Sequence, residues 1–250
     1  MKPIKRILIS QPLPPAGHNP YEYLVKQYGV ELDFFQLIHI EGLEVQEFRQ
    51  QRINPLNYSA VLFSSTLAVD HYFRICELMR VQVPETMHYY CISDAVGNYL
   101  QHYIQYRKRK VFPAPNHKFE DLLPAMKRRP NETYLMVVSE THSDSTIQML
   151  AGHGIEVKPA VMYRTCPSEW PKDKPFDYDM IALFTPQGMQ AIRNNFPDWQ
   201  QGDTALACLG AKTAQAIEEA GYRVDIQAGT PPLTSMTAAI EDYLEKSNKA

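Results

Sequence analysis

Cysteine is scarce and scattered in this chain: Cys76, Cys91, Cys166 and Cys208 form no CxxC pair and have no histidine at metal-ligand spacing. That argues against a metal site and a disulfide framework, and suits free, buried thiols in a reducing compartment. Excess charge is missing too. A formal charge of −3 gives no overall attraction for nucleic acid or an anionic membrane, so a polyanionic ligand would have to be held by local groups. Long apolar runs are absent, which excludes a membrane span. The cations Lys5 and Arg6 are followed only by Ile7 to Ile9 before polar residues and prolines, too short for a signal peptide, so the expected location is the cytoplasm. No GxGxxG or GxxxxGK[ST] occurs, and the first loop, Ser10–Asn19, is proline-rich rather than the Ser/Thr/Gly-rich loop of a flavin mononucleotide site. Nucleotide and dinucleotide chemistry is therefore disfavoured. The eight histidines show no HxH, HExxH or triad spacing, and most read as surface or lightly buried residues.

What is present is a repeat. Tyr58–Phe73 (YSAVLFSSTLAVDHYF) resembles Tyr178–Ile192 (YDMIALFTPQGMQAI); the segment from Ile92 answers that from Leu209, and the segment from Tyr28 answers that from His153. With 250 residues and 44% hydrophobic content, this pattern predicts two similar α/β lobes with a ligand between them. Arg6–Ser10 reads as a buried parallel strand, followed by a helix capped by Asn19, with Pro20 at its first position, that ends at Gly29. Tyr134–Val138 and a helix capped by Ser143 or Asp144, stopping near Gly152 and Gly154, repeat that unit. Val30–Ile40 and Ile155–Tyr163 are longer extended segments that could cross between lobes. Closing helices are expected at about Phe119–Lys127 and Ser235–Leu244. The basic run Tyr106–Lys110 reads as solvent-facing charge at a helix C-terminus rather than a nucleic-acid patch.

Hydroxyl and small residues gather at the strand-to-helix junctions: Ser64, Ser65 and Thr66; Ser93 and Asp94; Ser139–Ser143; Thr185 and Pro186; Gly210 to Thr213. Such junctions lie at the carboxyl ends of parallel strands, where helix N-terminal amides can hold an anion. Taken singly, each hydroxyl reads as an ordinary N-cap. Together, on both copies, they suggest a shared cleft. His142 sits in one of these loops. Tyr163 ends the alternating run Val157–Tyr163, and two readings stay open for it: a core residue with its hydroxyl at the edge, or a neutral phenol acting as donor in the cleft.

The order of these elements resembles the uroporphyrinogen-III synthase family. Its FTSP-like turns correspond to Phe63–Thr66 and Phe184–Pro186, and its VGxxTAxxL and IGxxTAxA elements to Ile92–Leu100 and Leu209–Ala216. Its tyrosine-ended segment corresponds to Met149–Tyr163, and its terminal helix to Thr230–Ile240. The resemblance implies an α/β fold of two flavodoxin- or HemD-like parallel-sheet lobes joined by two crossing strands, with residues 1–37 and 168–250 in one lobe and 38–167 in the other. It implies a cyclising hydro-lyase that closes hydroxymethylbilane, a linear tetrapyrrole with eight carboxylates, while inverting its last pyrrole ring. The expected route is loss of water to an azafulvene and a spiro intermediate, with no metal and no organic cofactor. Tyr163 would be the catalytic proton donor, and Ser64, Ser65, Ser93, His142, Thr185, Pro186, Gly210 and Thr213 would line the substrate. The protein would act as a monomer, with no nucleic-acid or membrane partner.

The chain departs from the family pattern in places. Ser93 and Val96 replace the Gly and Thr of the first VGxxTA element, whereas Gly210 and Thr213 keep them in the second. Gln11 stands where many members have Arg, and the acidic Ser139–Asp144 loop replaces a basic or Gly-rich one. Those changes remove positive charge. A non-catalytic ligand-binding or regulatory homologue on the same scaffold is the alternative. A two-lobed sugar- or amino-acid-binding protein fits less well without a secretion signal.

Overall fold

The computed structural model describes residues 3–248. The chain runs β1 (Arg6–Ile9), α1 (Glu22–Tyr28), β2 (Glu31–Phe34), β3 (Ile38–Gly42), α2 (Val45–Gln50), β4 (Ala60–Phe63), α3 (Thr66–Leu78), β5 (His88–Cys91), α4 (Asp94–Tyr99) and β6 (Val111–Pro113). It continues through α5 (Leu123–Lys127), β7 (Tyr134–Ser139), α6 (Ser145–Gly152), β8 (Val157–Pro167), β9 (Met180–Leu183), α7 (Pro186–Asn195), β10 (Ala205–Leu209), α8 (Ala211–Glu219), β11 (Ile226–Ala228) and α9 (Met236–Asn248). Two units result: Met1–His39 with Cys166–Ala250, and Ile40–Thr165. The chain passes from one to the other within β3 and within β8.

The first unit carries a five-stranded sheet in the order β11-β10-β9-β1-β2, with its pairs parallel. Numbered along the chain within that unit, this is the flavodoxin-like order 2-1-3-4-5. The second unit belongs to a six-stranded sheet, β3-β8-β7-β4-β5-β6. Starting the count at β7 and β8 and continuing with β4, β5 and β6 yields the same 2-1-3-4-5 order. The repeats in the sequence are thus β4 with β9, β5 with β10, and β8 with β2.

Both sheets are covered on both faces at their centres, which is why the central strands β4, β7, β9 and β10 are nearly continuous apolar runs rather than alternating, while the edge strands β2 and β3 carry polar residues. In the first unit Ile7, Ile9, Met180, Ala182, Ala205 and Ala207 join α1 and α9 in one cluster. Their neighbours Leu8, Ile181, Leu183, Leu206 and Cys208 meet α7 and α8 on the other face. In the second unit Val61, Phe63, Leu135 and Val137 pack against α3, and Ala60, Leu62, Met136 and Val138 against α5 and α6.

The structure corrects several expectations. Asn19 does not cap α1: its Oδ1 accepts the Tyr21 amide at 3.0 Å in a local turn, and the helix starts at Glu22. Its end at Gly29 is as expected, with φ 67°. Val30–Ile40 is two strands, because Phe35 packs at a tilt against Trp170, with centroids 4.5 Å apart and planes 59° apart, and Leu37 turns fully into the core, breaking the alternation between β2 and β3. The other extended segment is one strand that runs on to Pro167. Asp144 is the N-cap of α6, as expected, but makes no side-chain capping bond; Ser143 Oγ accepts the Ser145 amide at 3.3 Å. The basic run follows no helix directly; it forms a turn before β6, with Arg107 3.4 Å from Glu85. Cys76, Cys91 and Cys208 are buried, whereas Cys166 is half-buried. Among the described residues no helix is long and apolar enough to cross a membrane.

Candidate functional site

In an order of 2-1-3-4-5 the crevice for a ligand opens at the carboxyl ends of strands 1 and 3, where the chain order reverses. In the first unit those are the ends of β1 and β9; in the second, of β7 and β4.

In the second unit, β4 leads through Ser64 and Ser65 into α3. Ser65 is extended, with φ −162°, and its Oγ accepts the Ala68 amide at 3.1 Å, whereas Ser64 is exposed. Ser93 repeats this geometry after β5: its Oγ accepts the Val96 amide at 3.3 Å and the residue is buried. The ordinary capping role therefore describes both serines. Val96 is buried beneath that cap in the core cluster of α3. His142 is tied to its own loop, with Nδ1 2.8 Å from the Ser139 carbonyl and Nε2 3.1 Å from Asp144.

Tyr163 lies opposite Ser139 on β8. Val138 pairs with Val161 but Ser139 pairs with Tyr163, so Met162 is one extra residue on β8. Simple alternation would send Tyr163 to the face of Val157 and Val161; after this bulge it packs instead with Ala160 and Met162 in the cluster against α3. There its ring stacks on His71, with centroids 5.0 Å apart and planes 19° off parallel. Burial pushes the phenol above its ordinary pKa, and the nearby Ser65 side chain acts in the opposite direction. The phenol is thus protonated throughout the neutral range. His71, half-buried, was not singled out by spacing. Arg164, next to Tyr163, is committed to Glu47, with Nη2 2.7 and 2.6 Å from its two carboxylate oxygens.

In the first unit, Thr185 is the extended N-cap of α7 without a side-chain capping bond, and Pro186 opens the helix. Gly210 caps α8 with φ 78° and ψ 161°, a conformation nearly reserved for glycine. Its amide is used by the Ala228 carbonyl at 2.8 Å, no side chain caps α8, and no atom lies within 4 Å of where a Cβ would stand. Thr213, on the first turn of α8, is 2% exposed, while Lys212 beside it is exposed. Lys212 is a cation at a helix N-terminus that spacing did not single out. Pro186 lines a cavity of about 200 Å³ with residues of α7 and α8. A larger one, about 670 Å³, lies at the amino ends of β7 and β8, the edge opposite the junctions of that unit.

These junctions match a known architecture. The family model for uroporphyrinogen-III synthase HemD matches residues 19–238. Among solved structures, the uroporphyrinogen-III synthetase from Helicobacter pylori is similar at 17% identity and TM-score 0.61, the match covering 97% of this chain and 100% of that one. A mutant uroporphyrinogen III synthase from the extremely thermophilic bacterium Thermus thermophilus is similar at 15% identity and TM-score 0.50, covering 97% and 99%. No curated protein sequence matches. At such identities the solved structures speak for the fold, and the family model, spanning most of the chain, speaks for descent: the chain belongs to the uroporphyrinogen-III synthase HemD family.

Proposed function

We propose that this protein is a uroporphyrinogen-III synthase, a cyclising hydro-lyase that converts hydroxymethylbilane into uroporphyrinogen III with inversion of the last pyrrole ring. The family match carries this reading, and the surroundings of Tyr163 support it. The substrate supplies its own carbon nucleophile, so the protein needs no Ser, Cys or Lys nucleophile. Its tasks are to fold the chain for inversion and to help the hydroxyl leave.

Tyr163 donates the proton as the C–O bond breaks; the electron pair departs with water, leaving the azafulvene. Attack by the substituted α-carbon of the last ring forms the spiro intermediate; the bond from that carbon to the methylene of the third ring then breaks, leaving a second azafulvene there. The free α-carbon of the last ring closes on that methylene and loses a proton, which restores the Tyr163 phenol. A phenol kept neutral by burial suits that donor role. Ser64, Ser65, Ser93, His142, Thr185, Pro186, Gly210 and Thr213 stand at the strand ends and line the substrate in this reading, with the α7 and α8 amides taking carboxylates. The functional lobes are residues 1–37 with 168–250, and 38–167. The enzyme works as a cytoplasmic monomer without metal, organic cofactor, nucleic acid or membrane.

The test is incubation with enzymatically generated hydroxymethylbilane and chromatographic separation of the isomers. Type III is expected. Only the spontaneously formed type I isomer, from demonstrably folded protein, overturns the reading.

A further inference from the structure

A single helix holds Tyr163 from two sides. The N-cap of α3 supplies Ser65, whose side chain lies near the phenol, and the second turn supplies His71, whose ring stacks on it. His71 is itself held. Nε of Arg74 donates to His71 Nδ1 at 3.3 Å, and Arg74 Nη2 donates to the carbonyls of Leu43 at 2.6 Å and Met162 at 3.5 Å. Gly42 makes room for this, since any Cβ there would fall on the Arg74 guanidinium. The guanidinium therefore ties α3 to β8 and to the turn after β3, and it fixes the imidazole with Nδ1 as acceptor and the hydrogen on Nε2.

We propose that His71 is the positioning residue for Tyr163: a neutral imidazole, anchored by Arg74, that stacks on the phenol ring and keeps its hydroxyl beside Ser65. This rests on the reading of Tyr163 as proton donor. The groups facing His71 are Arg74 and Asp70 from α3 and Tyr163 from β8, and Asp70 is engaged by the Tyr103 hydroxyl at 2.7 Å. Burial, then the charge of Arg74, push the His71 pKa below its ordinary value, against a weaker pull from Asp70. Neutral His71 thus persists into mildly acidic solution. Its protonation sets two cations side by side and removes the acceptor Arg74 uses, so the clamp opens at low pH.

The test compares His71→Ala and His71→Phe by thermal melting and isomer-resolved kinetics across pH 5 to 9. His71→Ala should lower kcat by ~10-fold with KM nearly unchanged, less than the ~10²-fold expected for loss of a general acid. His71→Phe keeps a flat ring and should recover most of that kcat at neutral pH while abolishing the acid limb below the ordinary histidine value. Folded His71→Ala with wild-type kcat, His71→Phe as slow as His71→Ala, or an acid limb that survives in His71→Phe would each overturn the proposal. A readout independent of turnover is ¹³C NMR of Cζ-labelled tyrosine, with Tyr163 assigned by Tyr163→Phe. His71→Ala should bring its titration down towards about 10, and an unmoved titration overturns the clamp even if the protein makes no type III isomer.

Discussion

Ser139 and Tyr163 face each other across β7 and β8 one residue out of the register set by the pairs before them, and the Glu140 amide donates to the Tyr163 carbonyl at 2.9 Å. The bulge turns the tyrosine away from the face that alternation assigns it and onto the helix that begins with Ser65.

Tyr163→Phe keeps the ring stacked on His71 and removes only the donor. Melting temperature should hold within a degree or two while turnover falls by ~10²-fold, the low end for loss of a general acid. Because burial raises the phenol pKa, the donor is lost only above its ordinary value of about 10, so the wild-type rate should show no alkaline limb from this group between pH 7 and 9. Rates measured over that range, with wild type and variant side by side, check both statements.

Ser65 and Ser93 share one capping geometry, so Ser65→Ala and Ser93→Ala should each cost about 1 kcal/mol in denaturant unfolding. Ser65 also lies near the Tyr163 hydroxyl and favours its ionised form. kcat should therefore drop in Ser65→Ala, whereas Ser93→Ala, a substrate-lining position in the proposed reading, should change KM rather than kcat; equal kcat in the two variants would remove Ser65 from the donor's environment.

Gly210→Ala should lower stability by ~1–3 kcal/mol through its backbone alone, since φ 78° with ψ 161° disfavours any Cβ although the space is open. Loss of activity in a Gly210 variant would not by itself indicate substrate contact. Thr213→Val is the cleaner probe: it keeps the buried volume and deletes the hydroxyl. A raised KM with unchanged kcat is the expected result.

Burial pushes Cys76 and Cys208 up to about 11 and Cys91 up to about 12. Thiolate is the reactive form, so at pH 8 these three should resist a thiol reagent in the native protein. Half-buried Cys166 should label first, and the others only on unfolding. Stoichiometry followed with and without denaturant tests this.

The sequence alone determined the α/β class, the duplication and the family order, because apolar strands buried on both faces and capped helix starts are written locally, residue by residue. Ser65, Ser93, Ser235 and Gly29 sit at helix ends for reasons visible within four residues of each. Tertiary structure decided the rest. The break between β2 and β3 comes from Phe35 meeting Trp170, distant in the chain. The side on which Tyr163 emerges depends on one extra residue in β8 relative to β7, a property of the pairing rather than of either strand. His71 becomes a neighbour of that ring only because α3 crosses the face to which the bulge has turned it, and no periodicity along α3 encodes what lies across from it.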